Sequence, residues 1–305
     1  MTDIPEARPK RAGFVALIGA PNAGKSTLIN RLVGTKVSIV SHKVQTTRQT
    51  IRGILMAGDS QIIFVDTPGI FRPRRRLDRA MVDTAWGGAR DADIVALLID
   101  AAIGLSDEAM ALIESLGEIG QPTILLLNKI DLVPRETLLP LVAKANEALP
   151  FVRTFLVSAA TGDGLDDFVA YLAGTVPAGP WLYPEDEVSD MPLRGLAAEI
   201  TREKLYLRLH QELPYQATVE TDEWKEQKDG SVRVAQTIFV ERDSQKKIVI
   251  GKAGATIKAI SVAARKEIAE LAETPIHLFL FVKVRENWGD DPERYRAMGI
   301  EFPTD

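Results

Sequence analysis

The sequence contains no cysteine among its 305 residues. This absence excludes disulfide bonds, thiolate metal ligands and a cysteine nucleophile. Only three histidines occur, at positions 42, 210 and 277, and they are scattered along the chain. None of them stands at the spacing typical of a metal site, so we expect no zinc-type centre.

Long hydrophobic runs and an excess of positive charge are also missing. No apolar run approaches the roughly 20 residues of a membrane-spanning helix. The first residues, MTDIPEARPKRAG, lack the apolar core of a secretory signal. The formal net charge is −5, so affinity for nucleic acid or membrane would have to come from a local patch. We expect a soluble, cytoplasmic protein in which residues 1–12 form a flexible tail.

The segment 13–176 alternates short apolar runs with helical patterns, as in an open α/β sheet with ligands beyond the strand C-termini. Its apolar runs are continuous, which is typical of strands buried on both faces of a parallel sheet. They are FVALIG, QIIFV, IVALLID, TILLLN and TFLVS. RQTIRGILMAG (48–58) predicts an additional antiparallel edge strand. The fold class predicted here is a mostly parallel, doubly wound α/β domain.

The composition changes after this domain. Residues 177–193 are rich in proline and acidic side chains, which predicts a linker. Residues 194–286 then follow the order helix, strand, strand, helix, helix, strand, which indicates a separate α+β domain. PIHLFLFVKVR (275–285) is interpreted as its central strand, and 287–305 as a C-terminal tail.

The stretch GAPNAGKS (19–26) matches G-x-x-x-x-G-K-[ST] and lies between a predicted buried strand and a helix. Backbone N–H groups of such a loop and of the helix N-terminus bind phosphate oxygens. Lys25 is expected to reach the β- and γ-phosphates, and Ser26 to ligate Mg²⁺. The predicted phosphate-binding residues are Gly19, Asn22, Ala23, Gly24, Lys25, Ser26 and Thr27.

A second motif, NKID (128–131), follows the run TILLL and indicates guanine. A carboxylate at Asp131 can accept from guanine N1–H and N2–H₂, whereas adenine would present an acceptor to it. Asn128 and Lys129 complete this predicted base site, and Ser158-Ala159 can present a backbone N–H to the guanine oxygen. The predicted ligand is therefore GTP.

The sequence DTPG (66–69) follows the run QIIFV and predicts contacts to the metal and the γ-phosphate. Asp66 would hold Mg²⁺ through water, and the backbone of Gly69 would donate to the γ-phosphate. Thr46 and Thr47 both fall where a threonine can complete the Mg²⁺ shell. The ordered set resembles the motifs of translation-factor-type GTPases, whose γ-phosphate-sensing segments act as a switch.

The residue after Gly69 is Ile70, where better-known GTPases have a glutamine that orients the attacking water. Isoleucine neither donates nor accepts a hydrogen bond from its side chain, so no catalytic side chain is assigned. We expect slow intrinsic hydrolysis, stimulated by a partner or by K⁺. An arginine-rich loop at 72–76 follows and is interpreted as a solvated loop.

The second glycine turn, GKAG (251–254), is too short to wrap a β-phosphate. Its form, Gly-x-x-Gly before a helix, is that of a KH module, which clamps about four nucleotides of single-stranded RNA. The surrounding residues are predominantly basic, in contrast to the acidic chain as a whole. The predicted RNA-binding residues are Lys246, Lys247, Ile250, Gly251, Lys252, Ala253, Gly254 and Lys258.

The order of GAPNAGKS, QTTR, DTPGI, NKID, SAATG and then VERDSQKKIVIGKAGATIKAI resembles the Era family over about residues 12–302. The resemblance implies a P-loop GTPase domain joined to a type II KH domain that binds the 3′ end of 16S rRNA and assists assembly of the 30S ribosomal subunit. It also implies peripheral contact with the inner membrane, Thr47 as the Mg²⁺ threonine, and Asn22 at the position that ligates K⁺ in some related GTPases. Ala23 departs from the family's common valine. We expect a monomer.

Other functions remain open on the sequence alone. The main alternative is an RNA-binding assembly factor whose nucleotide domain is only structural, although Lys25 and Asp66 are both present. A P-loop kinase or ATPase is disfavoured by Asp131. A membrane-acting or tRNA-modification GTPase is disfavoured by the Gly-x-x-Gly module.

Overall fold

The computed structural model describes residues 9–43, 46–71, 73, 75–209 and 213–303. The chain divides into two compact units, and each is described by itself. The first unit is formed by the described residues of Met1–Val37, Thr50–Arg72 and Met81–Asp190. The second is formed by those of Ser38–Gln49, Pro73–Ala80 and Met191–Asp305.

The first unit is built on a six-stranded sheet with the strand order β2-β3-β1-β4-β5-β6. Only β2 is antiparallel to its neighbour, as expected for the 48–58 segment, and all other pairs are parallel. The predicted mostly parallel α/β fold is thereby confirmed. The strands are β1 Arg11–Gly19, β2 Ile51–Ala57, β3 Ser60–Asp66, β4 Ile94–Asp100, β5 Thr123–Asn128 and β6 Arg153–Leu156.

Helices cover both faces of this sheet because its strands are apolar on both sides. On one face, Ala89, Ile113 and Ala145 from three helices form a buried cluster with Leu97 and Leu125 of the central strands. On the other face, Phe168 lies 6.2 Å from Phe64 between ring centroids. The helices are α1 Lys25–Val33, α2 Arg76–Asp91, α3 Asp107–Ile119, α4 Leu138–Ala148 and α5 Leu165–Thr175.

The second unit has a three-stranded sheet in the order β7-β8-β9 with helices against one face. The first pair is antiparallel and the second is parallel, and the elements follow the predicted order helix, strand, strand, helix, helix, strand. Its elements are α6 Leu193–Arg208, β7 Ala217–Glu226, β8 Val232–Val240, α7 Asp243–Ile250, α8 Ala255–Ala272, β9 Ile276–Val284 and α9 Pro292–Ala297.

The prediction that residues 275–285 form a central strand is wrong. Strand β9 lies at the edge of the sheet, and β8 is the central strand. Beginning with the buried Ile276, the burial of β9 alternates between covered and exposed positions, as in a strand with one covered face. On the uncovered face, Phe279 and Phe281 are 45% and 49% exposed.

Residues 287–303 do not form the tail that was expected. Trp288 and Tyr295 are buried, and the Trp288 indole donates to the Gln216 carbonyl at 2.9 Å. The 177–193 segment is also more than a free linker, because Leu182 and Tyr183 donate backbone N–H groups to Gln61 Oε1. A buried glutamine in β3 therefore fixes this segment on the first unit.

The boundaries of the two units also differ from the predicted 13–176 and 194–286 domains. Residues 38–49 and 73–80, expected in the first domain, cluster with the second unit. No helix in the described ranges combines the length and apolarity needed to cross a bilayer.

Candidate functional site

The phosphate-binding loop leads from β1 into α1 without the usual helix cap. Gly24 occupies the N-cap position in a left-handed conformation. Because glycine has no side chain, the helix has no side-chain capping hydrogen bond. Within this fully described segment the first helical turn contains no acidic residue. The helix N-terminus, which no side chain caps and where the positive end of the helix dipole lies, is thus suited to an anion.

At two positions of this loop, neighbouring atoms lie too close for any residue but glycine. A Cβ on Gly24, at φ 103°, would lie 2.2 Å from Asn128 Nδ2. A Cβ on Gly19 would lie 2.7 Å from the Leu98 carbonyl oxygen. Any side chain at either position would displace the loop from the ends of β4 and β5.

Lys25 is buried and its ammonium donates to the carbonyls of Gly19 and Ala20 at 2.9 and 3.1 Å. Burial lowers the pKa of Lys25 to about 8, while the nearby Asp66 carboxylate acts in the opposite direction. The lysine is therefore held over the loop by neutral oxygens. Phosphate oxygens entering the loop would offer it stronger, charged acceptors.

Ser26 and Asp66 meet at the open edge of the sheet. The Ser26 hydroxyl donates to Asp66 Oδ2 at 2.9 Å, and Asp66 is fully buried at the end of β3. Thr67 next to it donates its hydroxyl to the Leu17 carbonyl at 2.9 Å, which fixes β3 to β1. The structure thus brings together the two predicted metal-binding side chains of this unit.

Asn128 connects the phosphate loop to the loop after β6. Its Nδ2 donates to the Ala23 carbonyl at 2.8 Å, and its Oδ1 accepts from Ala159 N–H at 2.9 Å. Ser158 and Ala159 are buried, whereas Asp131 is exposed. The amide therefore joins three of the predicted motifs, and the exposed Asp131 carboxylate is accessible to a ligand.

Asp100 is a site residue that the sequence reasoning missed. Lys129 adopts a left-handed backbone conformation, and its ammonium forms an ion pair with Asp100 Oδ2 at 2.6 Å. Asp100 is the last residue of β4, so a carboxylate at the C-terminal end of a buried strand was the available signal. The pair fixes the lysine beside the predicted base site.

Gly69 and Ile70 lie at the edge of the phosphate loop. The Ile70 N–H donates to the Gly19 carbonyl at 3.2 Å, and a Cβ on Gly69 would lie 3.1 Å from Pro21 Cα. The Ile70 side chain packs against the apolar cluster of α2, α3 and α4. It therefore has a packing role. Arg72 and Arg74 of the following loop lie outside the described residues.

The segment around Thr47 is held within the second unit by buried arginines, which the sequence reasoning did not identify. Arg48 donates to the Ala217 carbonyl and the Tyr206 hydroxyl, both at 2.8 Å. Arg202 of α6 donates to the Thr46 carbonyl at 2.5 Å. Thr47 is buried in this segment. Its ligation of Mg²⁺ stays a prediction.

The Gly-x-x-Gly turn is accessible at the junction of α7 and α8. Gly251 and Gly254 have φ of 73° and 78°, and Ala253 between them also lies in the left-handed region. A Cβ on Gly251 would clash with Thr256 Oγ1 at 2.2 Å, whereas Gly254 faces open space. Lys247, Lys252, Ala253 and Lys258 are exposed, and the other predicted RNA-binding residues are partly buried. The tight turn therefore presents bare main chain beside cationic side chains.

Comparison with known proteins gives matches to both units. A family described as 50S ribosome-binding GTPase matches residues 14–129, and the KH domain family matches residues 212–289. GTPase Era of Rhizobium meliloti is 68% identical over 297 residues, 97% of this chain and 95% of the relative. GTPase Era of Brucella suis is 66% identical over 299 residues, with 98% and 96% covered. The chain belongs to the Era family of GTPases.

Solved Era structures share the fold over nearly the full chain. A single-residue variant of Aquifex aeolicus Era bound to GDP·AlF₄⁻ superposes with a TM-score of 0.90 at 37% identity, covering 95% of this chain and 99% of that one. Era in complex with MgGDPNP and nucleotides 1506–1542 of 16S ribosomal RNA gives the same values. The predicted GTPase activity and the two-domain fold are confirmed.

The side chains of this Era-family protein fit Mg²⁺. Ser26 and Asp66 are hard oxygen donors within hydrogen-bonding distance of one another, beside an uncapped helix N-terminus that accommodates phosphates. Mg²⁺ keeps several waters and takes one or two protein oxygens plus phosphate oxygens. When bound, it would neutralise charge developing on the β- and γ-phosphates. In the described part of the chain no cluster of three or more histidines and carboxylates offers a different metal site.

Proposed function

We propose that this Era-family GTPase is a switch that binds the 3′ end of 16S rRNA through its second unit and assists assembly of the 30S subunit. One observation carries the proposal: the same chain presents an uncapped phosphate loop and an accessible Gly-x-x-Gly turn. A similar Era structure contains both a GTP analogue and nucleotides 1506–1542 of 16S rRNA. GTP binding and hydrolysis would alter how the second unit engages the RNA.

The nucleotide would be held by main-chain groups of the phosphate loop and by the base site. Mg²⁺ would be bound by Ser26, Thr47 and, through water, Asp66. The proposed nucleotide residues are Gly19, Asn22, Ala23, Gly24, Lys25, Ser26, Thr27, Asp66, Gly69, Asn128, Lys129, Asp131, Ser158 and Ala159. The proposed RNA residues are Lys246, Lys247, Ile250, Gly251, Lys252, Ala253, Gly254 and Lys258.

Intrinsic hydrolysis should be slow because Ile70 offers no side-chain group to orient water. Unaided turnover in such GTPases is on the order of 10⁻⁴ s⁻¹, and a cation supplied in trans accelerates it by about 10³ or more. We propose K⁺ bound near Asn22, or a partner, as this cation. Single-turnover hydrolysis in potassium and sodium buffers of equal ionic strength tests the ion. Equal rates would reject K⁺ and leave a partner as the activator.

We further propose that the protein acts as a cytoplasmic monomer with peripheral contact to the inner membrane. Fractionation of cells expressing the tagged protein, with a salt wash of the membranes, tests this location. Sedimentation of the purified protein over a range of concentrations tests the monomer.

The decisive experiment is cross-linking of the protein to cellular RNA, with GDP or with a non-hydrolysable GTP analogue, followed by mapping of the cross-linked nucleotides. We expect enrichment of the 3′ end of 16S rRNA, with a yield that depends on the nucleotide. An enriched but nucleotide-independent signal would favour the alternative in which the nucleotide unit is structural. No enrichment in either state would reject the assignment.

A further inference from the structure

The second unit leaves one face of its sheet without helices. Leu278, Leu280 and Val282 of β9 pack against the helices, so the alternate residues of β9 point to the other face. These alternate residues include Phe279 and Phe281, 45% and 49% exposed. Two large aromatic rings therefore lie side by side on an edge strand, on the face opposite the Gly-x-x-Gly turn and its helices.

The chain's own C-terminal segment covers only part of this face. Arg294 lies over the Phe239 ring at 4.6 Å and pairs with Glu220 at 2.6 Å. Phe239 is the register partner of Lys283, near the end of β9. The segment thus covers the β7–β8 side, while Phe279 and Phe281 remain open among the described residues.

The uncovered part of the face is rich in cations. The Arg233 guanidinium lies 4.8 Å from the Phe279 ring centroid. Lys225, Arg233 and His277 are register partners across the three strands, which places them on one row of this face. Within the described chain no carboxylate forms an ion pair with Lys225, Lys228 or Lys283. Cationic side chains therefore flank the two rings along β9, while the carboxylates of Asp222 and Glu223 lie on strand β7 of the same sheet.

Glu226 at the end of β7 is exposed, whereas the other acidic side chains near the rings are engaged locally, Asp222 by accepting from the Thr237 hydroxyl at 2.7 Å. Glu223 pairs with Arg233 at 3.7 Å, and Asp229 accepts from the Ser231 N–H and hydroxyl at 3.0 and 2.7 Å. Exposed aromatic rings among cations are the features of sheet surfaces that stack the bases of single-stranded RNA. An acidic peptide would also match the rings and the lysines, but RNA is the ligand already proposed for the Gly-x-x-Gly turn of the same unit.

From these observations we propose that Phe279 and Phe281, with Arg233 and the neighbouring lysines, form a second RNA-binding surface that stacks unpaired bases. This surface is called the β9 platform below. The inference rests on the proposed rRNA binding and extends it. A KH module clamps about four nucleotides, so a longer bound RNA needs further contacts. Because β9 is the edge strand and packs against α7 and α8, RNA leaving the Gly-x-x-Gly groove can cross its free edge to the platform.

The test compares two RNAs by fluorescence anisotropy with the full-length protein. The long probe is the 16S segment 1506–1542, and the short probe is its smallest fragment that wild type still binds, about four to eight nucleotides. The variant is Phe279→Ala/Phe281→Ala, and the control is Leu139→Ala, an exposed leucine of α4 in the first unit. Base stacking predicts a loss of about fivefold per ring on the long probe and no change on the short one. Phe281→Trp should retain full affinity.

Each outcome has a distinct meaning. Unchanged affinity of the double variant for the long probe would overturn the β9 platform while leaving the proposed function intact. Equal losses on both probes would also overturn it, because the rings would then act through the Gly-x-x-Gly groove or through folding. Weakened binding to 30S subunits with unchanged affinity for free RNA would reassign the rings to a protein contact. If wild type binds neither probe, the proposed rRNA function itself fails.

Discussion

Lys25 is buried, and its proposed role at the phosphates requires positive charge. Burial lowers the pKa of Lys25 from 10.5 to about 8, with Asp66 opposing the shift. The unfolded chain therefore binds this proton more tightly than the native state, and the stability contribution of Lys25 rises as the pH increases from about 8 to 10.5. Bound phosphates would raise the pKa of Lys25 again, because their negative charge favours the ammonium form.

We therefore predict that GDP binding is accompanied by proton uptake at Lys25 when the pH is above about 8, the pKa of this lysine without nucleotide. At about pH 8.5, uptake should approach three quarters of a proton per GDP, and it should vanish at about pH 6.5, where Lys25 is already charged. Calorimetry in buffers of different ionisation heat measures this number. Absence of uptake at the higher pH would show that Lys25 does not change its protonation on binding.

Asp131 supports a prediction about base selectivity. Asp131→Asn replaces a double acceptor with one acceptor and one donor, which suits the N1–H and 2-oxo groups of xanthine. The affinity for GDP should fall by about a hundredfold, equivalent to roughly 3 kcal/mol, and xanthosine diphosphate should become the tighter ligand. Asp166→Asn, an exposed aspartate at the start of α5, is the control. Unchanged selectivity in competition assays would remove Asp131 from the base site.

At the residue scale, the motifs predicted which side chains would converge, but not how they are held. Spacing and the strand C-termini indicated Lys25, Asp66 and Asn128, because parallel strands end at one edge of the sheet. The Asp100–Lys129 pair was missed because Asp100 belongs to no motif. Its partner lies 29 residues away in the sequence, and only the strand order β4-β5 brings the two together.

At the scale of elements, α6 depends on buried charge as well as apolar packing. Arg202 is 1% exposed and forms an ion pair with Glu199. Burial alone would lower the pKa of Arg202, but Glu199 outweighs this and keeps the arginine charged. Arg202 also lies over the Tyr206 ring at 5.2 Å. Helix α6 and the 38–49 segment therefore share one polar network within the second unit.

We predict that Arg202→Met destabilises the second unit by about 3 kcal/mol, because it leaves Glu199 and the Thr46 carbonyl without their buried donor. Lys266→Ala, which breaks an exposed pair with Glu270, should cost less than about 0.5 kcal/mol. Urea unfolding of the full-length protein separates the units, because GDP with Mg²⁺ shifts only the transition of the nucleotide unit. Comparably small effects of both variants would mean that the Arg202 network contributes little to the free energy of unfolding of the second unit.

The errors at this scale have a common physical origin. The position of β9 and the packing of residues 287–303 depend on contacts far along the chain, which local patterns do not report. Trp288 is buried through its bond to Gln216, 72 residues earlier. In contrast, β1, β4 and β5 were predicted well, because strands buried on both faces are apolar throughout.

At the scale of the whole molecule, the two glycine turns belong to different units, so their ligands should be separable by mutation. Lys252→Asp/Ala253→Asp places negative charge at the exposed Gly-x-x-Gly turn. Both positions are solvent-exposed, and aspartate tolerates the left-handed conformation of residue 253, so the turn itself should persist. This variant avoids the clash with Thr256 that any side chain at Gly251 would cause.

We predict that this variant binds 16S rRNA fragments at least about tenfold more weakly, with a salt dependence reduced by about one counterion. Its affinity for GDP should stay within about twofold of wild type, because every proposed base-binding residue lies in the first unit. The matched control is Ala143→Asp/Lys144→Asp, an exposed pair of the same residue types in α4. An equal loss of RNA affinity in the control would indicate a general charge effect. Loss of both ligands in the turn variant alone would indicate that the substitution unfolds the protein.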